Sequence, residues 1–145
     1  MAEWDDVRRI ALSLPETDEH ASYGGAPAWR VKGKSFVWDR PLGAADLDEL
    51  GDDAPTGPVL GARVADEGEK RALIAENPTV FFTVSHFDGY AAVLLRLDAV
   101  SPTLLREVVV EAWLVRAPVR LRREHEETLV RSLASGRTRE PPPPK

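Results

Sequence analysis

The histidines are the first residues to test for chemistry, and they give no catalytic or metal-binding pattern. His20, His86 and His125 are far apart, and none has a second ligand at metal-binding spacing. The chain has no cysteine, which excludes disulfides, thiolate metal sites and a thiol nucleophile. It also lacks the phosphate-loop, nucleophile-elbow, zinc-protease and dinucleotide-binding motifs. We therefore expect a non-enzymatic protein without a metal or a cofactor.

Two groups of basic residues have the charge needed to bind phosphate. One lies on a predicted hairpin and the other near the C-terminus: Arg30, Lys32 and Lys34, and then Arg116, Arg120, Arg122 and Arg123. The net charge is −5, but the segment from Arg116 onward carries +4 and everything before it carries −9. This asymmetry permits a local phosphate-binding face on an acidic protein. A solvated amphipathic helix and tail explain it about as well.

A second set of side chains could form a pocket between a sheet and a helix. It comprises Trp29, His86, Tyr90 and Trp113, with Arg116 beside them. His86 falls in a turn between two predicted strands, where it could donate a hydrogen bond to a polar or anionic ligand. The alternatives are that both tryptophans belong to the core and that His86 bonds to the turn backbone.

Hydrophobic periodicity and turn residues indicate which elements position these groups. A helix beginning at Trp4 ends at Pro15, and the segment 16–27 has loop composition. Residues 28–39 alternate as a hairpin with Gly33 at the turn. The pattern after this hairpin predicts a short helix at 44–50, a strand at 59–64 and a helix at 67–76 that is capped by Asp66. It then predicts two strands, at 79–84 and 90–98, joined by the turn 86–89. Two further helices are predicted at 102–117 and 121–133. The strands fall into local hairpins, so we predict an α+β fold, an antiparallel sheet with helices packed on one face.

The composition is that of one globular domain. The chain has 145 residues, of which 43% are hydrophobic and 30% charged. We expect a single domain over residues 1–134 and a flexible proline-rich tail over 135–145. The acidic N-terminus does not look like a signal peptide, and no apolar run is long enough to cross a bilayer. We expect a cytoplasmic protein, with a monomer favoured.

Five segments, taken in order, resemble the MmcQ/YjbR family. They are the first helix ending in Leu-Pro-Glu, the loop 20–24, the hairpin 28–36, the stretch 84–90 and the segment 111–118. The resemblance runs from about residue 3 to residue 123. It implies an α+β fold of the CyaY-like type. It also implies DNA binding through a double-wing arrangement of hairpins, carried here by the basic residues of the hairpin and of the C-terminal cluster.

Three functions remain open at this stage. The resemblance favours DNA binding without catalysis, in which basic residues neutralise phosphates and affinity falls steeply with salt. The pocket residues favour a small-ligand or accessory module. A protein-interaction module, using a sheet edge or the proline tail, is the third.

Overall fold

The computed structural model describes residues 2–21 and 25–138, with side chains described as far as 133. These residues form six strands and five α-helices, in the order α1 (Trp4–Leu12), β1 (Thr17–Ala21), β2 (Pro27–Val31), β3 (Lys34–Asp39), α2 (Ala44–Leu50), β4 (Val59–Arg63), α3 (Glu67–Glu76), β5 (Phe81–Phe82), β6 (Ala92–Arg96), α4 (Pro102–Arg116) and α5 (Val119–Thr138). The strands form one sheet in the order β1-β2-β3-β4-β6-β5, and all neighbours are antiparallel. The predicted α+β class is confirmed.

The helix boundaries follow local capping chemistry. The Asp66 carboxylate accepts from the Glu69 amide at 2.8 Å and opens α3. Ser101 does the same for Leu104 at 3.1 Å and opens α4, with proline at the first helical position, where no amide is needed. A two-residue turn joins β2 to β3, and its residues Lys32 and Gly33 have φ of 51° and 84°. Two left-handed residues in succession match the twist of a hairpin, and glycine adopts this conformation without steric cost.

The main core lies between one face of the sheet and the helices α1 and α4. Trp29 and Val31 of β2 point to this face, as do Leu95 of β6 and Trp113 of α4. A bulge in the β2–β3 pairing places Phe36 and Val37 of β3 in this same core, although they are adjacent. Helix α5 packs on α4 and adds buried Leu121 and Leu133. The main helical layer therefore covers one face, as predicted.

The opposite face of the sheet carries a smaller apolar cluster. Leu94, Phe82 and Phe87 are buried in it, and Leu50 of α2 packs against it. Alternate residues of β6 therefore serve the two clusters, since successive strand side chains point to opposite faces. This explains why β6 is apolar at almost every position.

Three boundaries differ from the sequence prediction. The segment 16–27 is not all loop, because residues 17–21 form edge strand β1. The predicted strand 79–84 is reduced to the two residues of β5. Helix α5 continues to Thr138, so the predicted tail begins in a helix, and residues 139–145 lie outside the described residues. No helix in the described residues is long and apolar enough to cross a membrane.

Candidate nucleic-acid interface

The basic residues of the β2–β3 hairpin face an acidic edge strand. Arg30 is opposite Asp18 in the β1–β2 pairing, and their side chains bond at 3.0 Å. Lys32 approaches the Glu16 carboxylate at 3.7 Å. Lys34 makes no ion pair with any residue that the structure describes. Of the three predicted phosphate ligands on the hairpin, Arg30 is therefore already neutralised and Lys34 is the most available.

Glu19 ties the edge strand β1 to the first helix. Its carboxylate accepts from Arg8 Nε at 2.8 Å and from the Trp29 indole N–H at 3.0 Å. The hydrogen bond from Arg8 is the main reason that the pKa of Glu19 is lowered, and burial opposes it only in part. Glu19 therefore satisfies a buried indole on one side and an arginine on the other.

The second basic cluster lies where α4 meets α5. Arg116 is the last residue of α4, and α5 starts at Val119 after the corner formed by Ala117 and Pro118. Arg120 pairs with Glu124 at 3.2 Å, one turn further along α5. Arg122 is half-buried and Arg123 is exposed, and neither makes an ion pair with a described residue.

Both basic clusters lie at the same end of the sheet. The Trp113 indole, near the end of α4, donates to the Pro15 carbonyl at 3.1 Å. The next residue, Glu16, accepts from the Lys32 amide at 3.4 Å in the hairpin turn. These two hydrogen bonds bring the α4–α5 corner beside the hairpin. The two clusters are more than 80 positions apart in the chain, and the sequence had no means of placing them together.

Arg63 also lies at this end of the sheet, although no motif in the sequence indicated it. It is the last residue of β4, and β4 is paired so that this residue lies toward the start of β3. Burial lowers the pKa of Arg63, and the positive charge of Arg116 lowers it further. The Nε atoms of both arginines are buried without a hydrogen-bond partner. A basic residue closing a strand was the only sequence signal for Arg63.

The predicted pocket is not assembled. Trp29 and Trp113 have no exposed surface, and each indole N–H is satisfied within the fold. His86 and Tyr90 lie instead in the segment before β6, each packed edge-on against Phe87 of the smaller cluster. The two tryptophans are core residues, as the alternative interpretation held. That segment is held by Lys70, whose buried Nζ donates to the carbonyls of Phe87 and Tyr90 at 2.8 and 3.2 Å.

Three open grooves mark the surface, and none is lined by these four residues. One of them, of about 490 Å³, lies between α3 and α4 and is lined by four glutamates, by Arg63 and by apolar residues such as Leu73 and Val108. Two others, of about 460 and 400 Å³, share Trp4 and Pro58 at the end of the sheet away from Arg63. The residues described contain no group of three acidic or histidine side chains placed to hold a metal ion.

The fold and this surface define a class: an α+β protein with a six-stranded antiparallel sheet and cations gathered at one end. The chain belongs to the YjbR family, whose family model matches residues 12–115. The resemblance noted in the sequence is thereby confirmed. A crystal structure of Deinococcus radiodurans protein DR2400, a DUF419-domain protein, shares the fold, with a TM-score of 0.60 and 20% identity over 79% of this chain and 78% of that chain.

Closer relatives in sequence come from mycobacteria. The Uncharacterized protein Rv2570 of Mycobacterium tuberculosis is 48% identical over 124 residues, which is 83% of this chain and 93% of the relative. The Uncharacterized protein Mb2600 of Mycobacterium bovis matches to the same extent. The similarity covers nearly the whole length of each relative.

Proposed function

We propose that this protein binds nucleic acid without catalysis, through backbone phosphates at its basic end. We define the basic end as Lys32, Lys34, Arg63, Arg116, Arg122 and Arg123. The observation that carries the proposal is the convergence of the hairpin turn and the α4–α5 corner at one end of the sheet. A single phosphate backbone can contact both clusters only if they are adjacent in the fold.

The charge state of this surface supports binding to a polyanion. Lys34, Arg122 and Arg123 make no ion pair with a described residue, so phosphate contacts there displace only water and counterions. Arg116 lies near enough to Arg63 for its positive charge to lower the pKa of Arg63, and an anion beside the two arginines would relieve that repulsion. Arg30 and Arg120 contribute less, because Asp18 and Glu124 already neutralise them.

The mode of binding that fits this surface is independent of base sequence. Reading base edges in the major groove usually requires an inserted helix or ribbon carrying bidentate side chains such as Arg, Asn or Gln. The exposed face of α5 instead carries ion pairs, Arg120 with Glu124 and Arg131 with Glu127. We therefore expect phosphate contacts to dominate and affinity to fall steeply as salt rises.

Fluorescence anisotropy with a labelled DNA duplex tests this directly. We expect binding at about 20 mM salt, and the triple variant K34A/R122A/R123A should weaken it by about tenfold or more and reduce the salt slope by about two to three. The matched control is R9A/R71A/R131A, which removes the same positive charge from three exposed, ion-paired arginines that are not part of the basic end. No binding at tens of micromolar protein in low salt, or an equal loss in the control, would overturn the proposal.

A further inference from the structure

The opposite end of the sheet has a groove of different chemistry. Two adjoining hollows of about 400 and 460 Å³ meet at Trp4 and Pro58. Asp39, the last residue of β3, lines the first, and Asp98, which follows β6, lines the second. Leu42 and Leu47 supply an apolar wall beside Asp39. The groove therefore combines a half-exposed indole, an aliphatic wall and acidic residues in both halves. Asp39 is the acidic residue of the first hollow, and Asp98 shares the second with Glu3 and with Asp5, which is paired with Arg8 at 3.0 Å.

Asp39 is a carboxylate without a counter-charge. The residue is half-buried, and while its backbone pairs with β4, its carboxylate makes no hydrogen bond or ion pair with any residue that the structure describes. Its neighbour Arg40, the cation that also lines the groove, is bound elsewhere: its guanidinium pairs with Asp46 at 3.2 Å and lies over the Phe87 ring. Burial raises the pKa of Asp39, because no partner offsets the lost hydration of the charged form.

The indole of Trp4 is held in place as the shared wall of the two hollows. It stacks on the buried Trp29 with ring centroids 6.2 Å apart. An indole that is fixed on one side and open on the other can pack an aliphatic chain and attract a cation to its face. This wall adds a preference for an organic cation over a hydrated metal ion.

Gly57 brings the second carboxylate next to the first hollow. Gly57 lines the hollow of Asp39, and a Cβ at this position would lie 2.5 Å from Asp98 Oδ2. The Asp98 carboxylate therefore packs against the backbone of Gly57, in the space that the side chain of any other residue at position 57 would occupy. Asp39 and Asp98 flank the same short segment, 57–59, which also carries the shared Pro58.

We infer that this groove binds an aliphatic diamine, with one ammonium at Asp39, the second at Asp98 and the carbon chain across Trp4 and Pro58. An ammonium group supplies the positive counter-charge that the Asp39 carboxylate lacks. The methylene chain of the diamine packs against the apolar walls of the groove. The site lies at the far end of the sheet from the basic end and does not depend on the proposed nucleic-acid binding.

Calorimetry with 1,4-diaminobutane and, as the single-charge ligand, butylamine tests the inference at low ionic strength. The diamine should bind several-fold more tightly than the monoamine. Asp39→Asn should weaken both ligands by about tenfold, and Asp98→Asn should bring the diamine to the affinity of the monoamine. Glu126→Gln, which removes an equal charge from an exposed site on α5, should change neither. Equal affinity for the two ligands, or an undiminished affinity in Asp39→Asn, would overturn the inference.

Two further measurements separate the site from general attraction to an acidic protein. Gly57→Ala keeps the charge but displaces the Asp98 carboxylate, so it should lower diamine affinity and leave butylamine unchanged. In a ¹H–¹⁵N spectrum the Trp4 indole resonance, assigned with Trp4→Phe, should shift on titration, while that of buried Trp113 should not. Uniform small shifts of all indoles, or no effect of Gly57→Ala on the diamine, would contradict the inference. A lysine-containing peptide in parallel distinguishes a free amine from a protein side chain as the natural source.

Discussion

At the scale of single residues, Gly61 is the position where the sheet has least room. It lies opposite Trp38 in the β3–β4 pairing, and a Cβ there would come within 2.4 Å of the Trp38 ring. We expect Gly61→Ala to lower the free energy of unfolding by about 2 kcal/mol, because the rigid Trp38 ring lies over Gly61 and packs against Phe87, so it cannot move aside cheaply. Urea denaturation monitored by circular dichroism measures this cost.

The same clash gives a control and a rescue. Gly57→Ala meets only the end of the exposed Asp98 side chain, which can rotate away, so its cost should be well below that of Gly61→Ala. Replacing Trp38 by Leu removes the ring, and Gly61→Ala should then cost less than in the wild-type background. Equal costs for the two glycine variants would show that the ring contact does not limit this position.

Lys70 is the buried cation of α3, with 2% of its surface exposed. Its ammonium group binds two carbonyls of the segment that precedes β6. Lys70→Met keeps the aliphatic chain but removes the ammonium group from both carbonyls and from Glu67, 3.8 Å away. The Phe87 carbonyl then keeps only its bond from the Tyr90 amide, and we expect a loss of about 1–3 kcal/mol in unfolding free energy. Hydrogen exchange should become faster in residues 85–90 before it does in the central strands. The exposed neighbour Arg71, changed to Met, should shift stability by no more than about 0.5 kcal/mol.

Sequence reasoning found some of these residues and missed others for physical reasons. The cap residue Asp66 depends on chemistry within three positions, so its role was predictable. The partners of Lys70, Arg63 and Gly61 are all set by tertiary packing, at separations that local patterns do not encode. The tryptophans of the predicted pocket were misplaced because a large side chain fits a core and a pocket equally well in sequence.

At the scale of elements, the junction of α1 and β1 should give the fold an acid-sensitive contact. The bond from Arg8 lowers the pKa of Glu19 below its ordinary value of 4.5. Because the pKa of Glu19 is lower in the folded state than in the unfolded state, the ionised carboxylate contributes its full stability at a pH above the unfolded-state pKa. That contribution is lost as the pH falls through the folded-state pKa. We therefore expect Glu19→Gln to destabilise the protein at pH 6.5 and to lie closer to wild type at pH 3.

Urea midpoints at these two pH values measure that difference. Glu126→Gln serves as the reference, since Glu126 is exposed on α5 and has no described hydrogen bond or ion pair. If the difference in urea midpoint between wild type and Glu19→Gln stays constant down to pH 3, the interaction of the ionised Glu19 carboxylate with Arg8 does not contribute to stability. The indole bond from Trp29 can persist with the glutamine amide oxygen, whereas the bond from Arg8 Nη2 to the second carboxylate oxygen, at 3.3 Å, is lost together with the charge.

The same strand shows where element prediction reached its limit. β1 has the sequence Thr-Asp-Glu-His-Ala and is mostly exposed, so it has no apolar alternation to detect. It is a strand because β2 offers an open edge and because Arg30 and Arg8 attract its acidic side chains. The hairpin, β4, α2, α3 and α4 were found because each carries its own periodicity, turn or cap. The predicted strand at 79–84 was too long, because its apolar residues fill the core without extending the ladder.

At the scale of the whole molecule, the charge is divided between the two ends of the sheet. β6 begins beside Arg63 and ends at Arg96, where the Arg96 guanidinium bonds to the Asp53 carbonyl. The acidic segment around Asp52 and Asp53 therefore lies at the end away from the basic end. A polyanion that binds at the basic end meets local cations within a protein of net charge −5. Long-range repulsion and short-range attraction should then respond differently to salt.

This division predicts the behaviour of Asp52→Asn/Asp53→Asn in the nucleic-acid assay. The variant removes two negative charges from exposed positions without altering the basic end. At about 10 mM salt the screening length is about 30 Å, so the lost repulsion should strengthen DNA binding by about twofold. At about 150 mM that length shrinks to about 8 Å, and the affinities should coincide. Anisotropy titrations at both salt concentrations make the comparison. K34A/R122A/R123A serves as the reference, because the loss of direct phosphate contacts should weaken DNA binding at the higher salt concentration as well. A gain from the double variant that is the same at both salt concentrations would mean that Asp52 and Asp53 act at the interface itself and that DNA does not bind at the proposed end.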